Sequence, residues 1–315
     1  MSKKMSKEII SKLICPLTKA LLKDKGDRLE NVNDSTIKYP VINGIPVLIN
    51  DSNSVFSVLD FVNKKNTTFN VTKTQIKKIV RKLIPTIGMS IKSKENYDTI
   101  ITMLKNNSKI LVIGGSIIGK GMEKLYSTNS LEIIGSDVSF GPYTQIIIDA
   151  HDIAFEDETF DCVIFQAVLE HVVDPYRCVS EAYRVLKPKG IIYSETPFMQ
   201  QVHMREYDYT RFTHLGHRRL FNYFEEIKSG PTCGPGMALA WSYKAFITSF
   251  ATSRILRKIL EIIAHFTSFF LKYFDYYLID KPGSYDTASG FYFLGKKSTQ
   301  CLSDTELLKL YKGAM

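Results

Sequence analysis

Three positions in the middle of the chain have the residue types and spacing of a binding edge. Gly114 follows the apolar run Lys109–Ile113, Asp137 follows the run 131–134, and Asp149 follows the run 145–148. A glycine at the first turn lets a ligand approach the backbone with no Cβ in the way. Asp137 lies about 20 residues further on, at the tip of the next strand, where a carboxylate can accept hydrogen bonds from both hydroxyls of a ribose. An acid at the end of the third run, Asp149, can accept from an adenine amino group. The stretch from Gly114 through Gly115, Ser116 and Gly119 to Gly121 is not a clean GxGxxG, so the glycines alone do not separate a dinucleotide site from other nucleoside sites.

A second group lies downstream, in 195–213. His203, Arg205, Tyr207, Asp208, Tyr209 and Arg211 are packed into nine residues. A neutral imidazole at His203 can take a proton from a hydroxyl. The tyrosines can stack on a sugar or aromatic face, and Arg205 or Arg211 can hold an anionic group. His203, Tyr207 and Arg211 are therefore the catalytic candidates, with His203 as general base. His203, His214 and His217 follow no recognised ligand spacing, and no metal is expected. Glu170-His171 reads as helix-start packing and polar satisfaction.

These residues need a parallel sheet to position them. Apolar runs at 109–113, 131–134, 145–148, 161–165 and 190–193 alternate with helical patterns such as 175–186, the arrangement of an α/β sheet. Leu186-Lys-Pro-Lys-Gly190 reads as a turn into the fifth strand. A closing strand is expected at 288–295, and 231–279 reads as an apolar, aromatic-rich helical insertion before it. Ahead of the sheet, 37–49 reads as a hairpin around Asn43-Gly44, with Pro40 and Pro46 confining its strands to edges. Residues 53–95 read as a connecting segment with an amphipathic helix near 73–83.

Composition narrows the class further. The chain has 315 residues, 44% hydrophobic and 23% charged, which excludes global disorder. Its five cysteines are scattered without a CxxC pair, against both a disulfide framework and a zinc site. The basic start has no apolar stretch behind it and does not read as a secretory signal. A net charge of +9 is compatible with nucleic acid, but lysines on solvated helix faces, or attraction to an anionic membrane or polymer, account for it more simply. No run is long enough for a membrane span. A peripheral membrane contact through Phe266, Phe269, Phe270, Tyr273, Phe274 and Lys272 is a minority reading.

The segment from Asp149-Ala-His-Asp through Phe160-Asp161, then Ala167-Val-Leu-Glu-His-Val172, Asp174-Pro175 and Glu181-Ala-Tyr-Arg-Val-Leu-Lys-Pro-Lys-Gly190, resembles the type-11 branch of class I S-adenosylmethionine-dependent methyltransferases. The resemblance covers about 108–225. It implies a Rossmann-like seven-stranded, mostly parallel sheet of order 3-2-1-4-5-7-6 with helices on both faces. It also implies a cofactor, S-adenosyl-L-methionine. Gly114, Gly115 and Gly119 would wrap the methionine end, Asp137 the ribose, and Asp149 with the Ala150 backbone the adenine. Gln166 would lie near the methionine part or the acceptor. Two positions depart from the pattern: Val112 stands where many members carry an acid, and Ser116 at the third motif position.

Residues 1–52 resemble the small zinc-ribbon-like activator domain of tRNA and protein methyltransferases, through Leu13-Ile14-Cys15-Pro16 and 39–48. Thr18 stands where a second cysteine ligand belongs and the later pair is missing, so a metal-free α+β module is expected. The expected organisation is this module at 1–52, a connector at 53–95, a methyltransferase domain at 96–300 with a helical cap at 231–279, and a polar tail at 301–315. The expected activity is O- or N-methylation of a small-molecule or saccharide-like acceptor by a cytoplasmic protein, at most peripheral to the inner face of a membrane. An RNA methyltransferase and a non-catalytic methyltransferase-like scaffold are the alternatives.

Overall fold

The computed structural model describes residues 5–63 and 83–314. One mixed sheet runs through them. Its strands are β1 (Leu22–Asp24), β2 (Arg28–Asn31), β3 (Lys38–Ile42), β4 (Ile45–Leu48), β5 (Lys109–Ile113), β6 (Glu132–Asp137), β7 (Ile146–Ile148), β8 (Phe160–Gln166), β9 (Leu186–Pro197), β10 (Phe224–Cys233) and β11 (Gly290–Lys297). The order is β1-β2-β3-β4-β7-β6-β5-β8-β9-β11-β10, with four of the eleven strands, β1–β4, contributed by the amino-terminal residues. From β4 through β9 neighbouring strands are parallel, while β1–β4 and β9-β11-β10 are antiparallel.

Alternation along the central strands builds two cores. Leu111 and Ile113 of β5, with Val163 and Phe165 of β8, face a cluster that takes in Val179 and Ala182 of the Pro175–Val185 helix. Ile110 and Val112, with Cys162 and Ile164, face the other side, against Tyr97 and Ile100 of the Ser93–Met103 helix. Asp174 caps the Pro175–Val185 helix by accepting from the Arg177 N–H at 3.1 Å, and proline at the first helical position fits that start.

The amino-terminal strands extend this sheet. The Asn43-Gly44 turn has φ of 54° and 79°, as a two-residue hairpin loop requires. Pro40 and Pro46 do not confine their strands to edges. β4 lies between β3 and β7, and its parallel ladder to β7 begins at Val47, one residue past the proline that has no N–H to give. Ile9, Leu13, Cys15, Leu29 and Tyr39 pack in the same cluster as the central strands. The Cys15 Sγ lies 3.2 Å from the Tyr39 hydroxyl and takes the Thr18 N–H at 3.4 Å.

Two strands differ from their expected limits. β9 starts at Leu186, so the Lys-Pro-Lys segment is an irregular strand entry and not a separate turn, with a register shift against β8 and Lys189 at φ 60°. β10 runs to Cys233, past the expected start of the helical stretch at 231. It is an edge strand pairing with β11, where Pro231 is tolerated at a register shift. The helical stretch itself comprises Pro235–Ser249, Arg254–Ser268 and a 3-10 turn at Phe269–Phe274. Asp275 holds the first of these helices by accepting from the Gly236 N–H at 2.6 Å and the Met237 N–H at 2.9 Å. No described helix is long and apolar enough to cross a membrane. Of the amphipathic helix expected near 73–83, residues 73–82 lie outside the described residues.

His214 and His217 are interior groups. On the His214–Leu220 helix, His217 Nε2 lies 2.9 Å from the Ser194 hydroxyl, and His214 Nε2 lies 3.0 Å from that of Ser229. Burial holds His217 near a pKa of about 3, far below its usual 6.5. The unfolded chain therefore takes up a proton at this residue as pH falls through 6.5 while the folded chain does not, so its contribution to stability is present above 6.5 and lost below. Urea unfolding of the native chain and of His217→Gln from pH 7.5 to 4.5 checks this. The native advantage should narrow by about 1.4 kcal/mol for each pH unit below 6.5.

Candidate functional site

The carboxyl ends of β5, β6, β7 and β8 open onto a cavity of about 410 Å³. At the end of β5, Gly114 has φ of +72°, and a Cβ there would lie 2.5 Å from the Val168 Cγ2, so conformation and space both call for glycine. Gly115 is absent from the cavity wall. Its Cβ would lie 2.9 Å from the Val112 carbonyl, which assigns it to strand packing.

Asp137 lines the cavity from the tip of β6 and is 7% exposed. Its Oδ2 accepts from the Ser116 N–H at 3.0 Å. Burial raises its pKa, and the backbone N–H groups of Ser116, Val138 and Ser139 pull the other way. Ser116 thus has a use at the degenerate glycine position: its backbone fixes the carboxylate.

Asp149 and Ala150 line the cavity beyond β7. Asp149 Oδ1 accepts from the His151 N–H at 3.0 Å and lies 2.6 Å from the His151 Nδ1, while Oδ2 accepts from the Ser54 hydroxyl at 2.5 Å. His151 Nε2 accepts from the Asp174 N–H at 3.0 Å, which places the ring proton on Nδ1. Burial would raise the Asp149 pKa, but these partners outweigh it and hold it below the usual value.

Gln166 ends β8. Its amide nitrogen donates to the Lys120 carbonyl and to Glu195 Oε2, both at 3.0 Å, and its buried Oε1 has no partner among the described residues. Glu195 Oε1 takes the hydroxyls of Ser93, at 2.5 Å, and of Tyr193. Burial raises the Glu195 pKa against these hydrogen bonds. Gly119 faces the same amide, since a Cβ there would meet Gln166 Oε1 at 1.7 Å.

The 195–213 loop divides. Tyr207 reaches the cavity, its ring stacked on Phe56 with centroids 5.6 Å apart, and its carbonyl 2.8 Å from His171 Nδ1. His203 does not line the cavity and meets it through His171, with the two Nε2 atoms 3.1 Å apart. Burial lowers the pKa of both imidazoles, His171 to about 4. Arg211 is not aimed at the cavity either. Its guanidinium donates to the carbonyls of Gln200, Gln201 and Thr210 and to both Asp208 oxygens, so its N–H groups are committed to the loop. The placement makes Arg211 a positioning residue, where the sequence suggested a substrate clamp.

Several wall residues had no signal in the sequence. Val55 and Phe56 come from the connecting segment. Met237, Thr232 and Cys233 come from the start of the helical stretch and the strand before it. Only His151, two residues after Asp149, stood close enough to a motif to be suspected.

Residues 119–194 match the methyltransferase domain family, a match that begins at Gly119 and ends inside β9. The chain carries a methyltransferase domain over these residues, and the cofactor its sequence leads one to expect is S-adenosylmethionine. No curated protein matches the chain. Among solved structures, phosphoethanolamine N-methyltransferase 2 of Haemonchus contortus, in complex with S-adenosyl-L-methionine, is 17% identical, with 65% of this chain and 53% of that one covered and a TM-score of 0.42. A methyltransferase of Methanosarcina mazei is 19% identical over 65% and 98% of the two chains, with a TM-score of 0.39. One from Archaeoglobus fulgidus is 16% identical over 65% and 92%, with a TM-score of 0.40.

The residues present fit the cofactor. A buried acceptor without a donor at Gln166 Oε1 suits the methionine ammonium, the Gly114 turn admits a close backbone approach, and Asp137 presents a fixed carboxylate for a diol.

Proposed function

We propose that this methyltransferase acts on an oxygen or nitrogen of a small-molecule or saccharide-like acceptor. Gly114, Gly119, Asp137, Asp149, Ala150 and Gln166 would hold the cofactor, and the wall around Tyr207 and His171 would receive the acceptor. The observation that carries this reading is the single cavity joining the two groups: Asp137 and Gln166 line it at the strand ends, Tyr207 and Met204 at the loop. The reaction is an in-line displacement at a sulfonium methyl, and holding donor and acceptor in line supplies much of the rate, on the order of 7–11 kcal/mol in favourable cases.

The acid that many relatives of the type-11 branch carry before the first glycine is replaced by the buried Val112. Gln166 Oε1, with Glu195 behind its amide, supports the idea that the ammonium partner has moved to the end of β8. Isothermal titration of S-adenosylmethionine into the native chain and into Asp137→Ala tests the cofactor site. Binding should weaken by about 1–3 kcal/mol in the variant. No binding in the native chain would leave only the scaffold reading.

A second reading concerns location. On the Arg254–Ser268 helix, Ile255, Ile259, Ile262, Ile263 and Phe266 are exposed, beside exposed Arg254, Arg257 and Lys258 and a single acid, Glu261. An apolar face flanked by cations supports peripheral contact with an anionic lipid surface. Lys272 is not available for that contact, because it is buried and its ammonium donates to the Thr86 carbonyl. Co-sedimentation with phosphatidylserine-containing vesicles should be salt-sensitive, and at least tenfold weaker for the double variant Ile259→Glu, Phe266→Glu. Equal recovery of native and variant protein would sink the reading.

A further inference from the structure

Glu170, His171 and His203 converge where His171 lines the cavity. Glu170 is fully buried, and neither of its carboxylate oxygens has a hydrogen-bond partner among the described residues. A carboxyl group with no donor in the interior is costly and calls for a partner. Its Oε1 lies 3.6 Å from His171 Nε2 and 3.9 Å from His203 Nε2, and the two nitrogens are 3.1 Å apart.

The ring protons are accounted for elsewhere. His171 Nδ1 donates to the Tyr207 carbonyl at 2.8 Å. His203 Nδ1 lies 3.3 Å from both the Gln201 carbonyl and Asp208 Oδ2. The Arg211 guanidinium is 3.4 Å from that same nitrogen but sits closer, at 2.9 Å, to Asp208, which it already serves. Both Nε2 atoms therefore carry lone pairs toward one point, where a carboxylate oxygen also points. Three acceptors facing one another need a proton or a cation between them, and a cation can join all three at once.

The spacing suits such a cation. A point about 2.1 Å from all three atoms closes the triangle they form, within the range of zinc bonds to imidazole nitrogen and carboxylate oxygen. Each imidazole also has the hydrogen bond through its other nitrogen that metal-ligating histidines keep.

We propose that Glu170, His171 and His203 form a site for a divalent transition-metal ion such as Zn²⁺, which holds a hydroxyl oxygen of the acceptor at the wall of the cofactor cavity. Two imidazoles and one carboxylate favour this class of ion over Mg²⁺ or Ca²⁺, which prefer all-oxygen sites. The set is an open one, with coordination positions left for a ligand.

Its use rests on the methyl-transfer reading above and narrows the acceptor to an alcohol or phenol. Bound to the ion, the hydroxyl loses its proton to solvent more readily. The oxygen then forms a bond to the methyl carbon as the carbon–sulfur bond breaks, and the sulfur keeps the electron pair as the neutral thioether of S-adenosylhomocysteine. His203 is then a ligand and not a general base.

The test uses the full chain, stripped with a chelator and titrated with Zn²⁺ by calorimetry and with Co²⁺ by absorption spectroscopy. One equivalent should bind, with affinity at least tenfold lower in Glu170→Gln and in His203→Ala. Should the buried Glu170→Gln variant fail to fold by circular dichroism, the exposed His203→Ala carries the comparison alone. No stoichiometric uptake by the native chain, or uptake unchanged in the folded variants, overturns the site. The metal-free native chain is titrated with S-adenosylmethionine in parallel. Cofactor binding without zinc uptake removes the metal site and leaves the methyl-transfer reading standing, whereas zinc uptake without cofactor binding removes that reading and keeps the site.

Discussion

The site depends on a reversal of strand order at β5. On one side of it the chain lays down β6 and β7, on the other β8 and β9. Where the order turns, successive connections leave on opposite faces of a parallel sheet, and a crevice opens at the carboxyl ends that no side chain of the strands fills. Gly114, Asp137 and Gln166 sit at three adjacent ends around that crevice because β5, β6 and β8 are hydrogen-bonded neighbours. The positive φ at Gly114 and Ala167 turns the chain away from the opening at two of these ends. The buried face on each side of the sheet makes a one-residue slip prohibitive, since it would exchange the two cores. Site geometry and sheet stability are thus consequences of the same pairing.

A smaller network ties distant parts of the chain to that crevice. Asp149 joins Ser54, His151 and, through His151, the start of the Pro175–Val185 helix. A carboxylate with three hydrogen-bond donors is held in one place at some cost in remaining acceptor capacity. The same arrangement brings Phe56 against Tyr207, so the segment before the sheet and the loop after β9 close on the cavity from two sides. The loop keeps its shape through Arg211 and Asp208. Burial alone would raise the Asp208 pKa, and the guanidinium outweighs it and holds the carboxylate well below its usual range. Rigid polar ties of this kind suit a reaction whose main requirement is alignment.

Much of this was legible in the sequence where local pattern and tertiary role agree. β5 and β8 are continuous apolar runs because both faces are buried, and the acids Asp137 and Asp149 stand at the ends of β6 and β7. Asn43-Gly44 was legible because its backbone conformation admits few other pairs. β10 was not, since Glu225, Glu226, Lys228 and Pro231 suit an edge strand and a surface loop equally well. The partners of Arg211 were hidden for a related reason. A sequence shows that a guanidinium is near a loop, but only coordinates show that the loop's own carbonyls consume it. Phe56 and Ser54 were invisible because their partners lie far along the chain. Glu170-His171 was visible as a motif, but its third member, His203, is 32 residues away from His171 and joins it only through folding.

The central claim is that the cofactor occupies the crevice at the reversal of strand order, between Gly114, Asp137 and Gln166. A crystal structure of the chain with S-adenosylhomocysteine tests this most directly. The account predicts the ribose hydroxyls within hydrogen-bond distance of the Asp137 carboxylate and the amino-acid ammonium at Gln166 Oε1. S-adenosylhomocysteine bound elsewhere, or with its ribose turned away from Asp137, would contradict it.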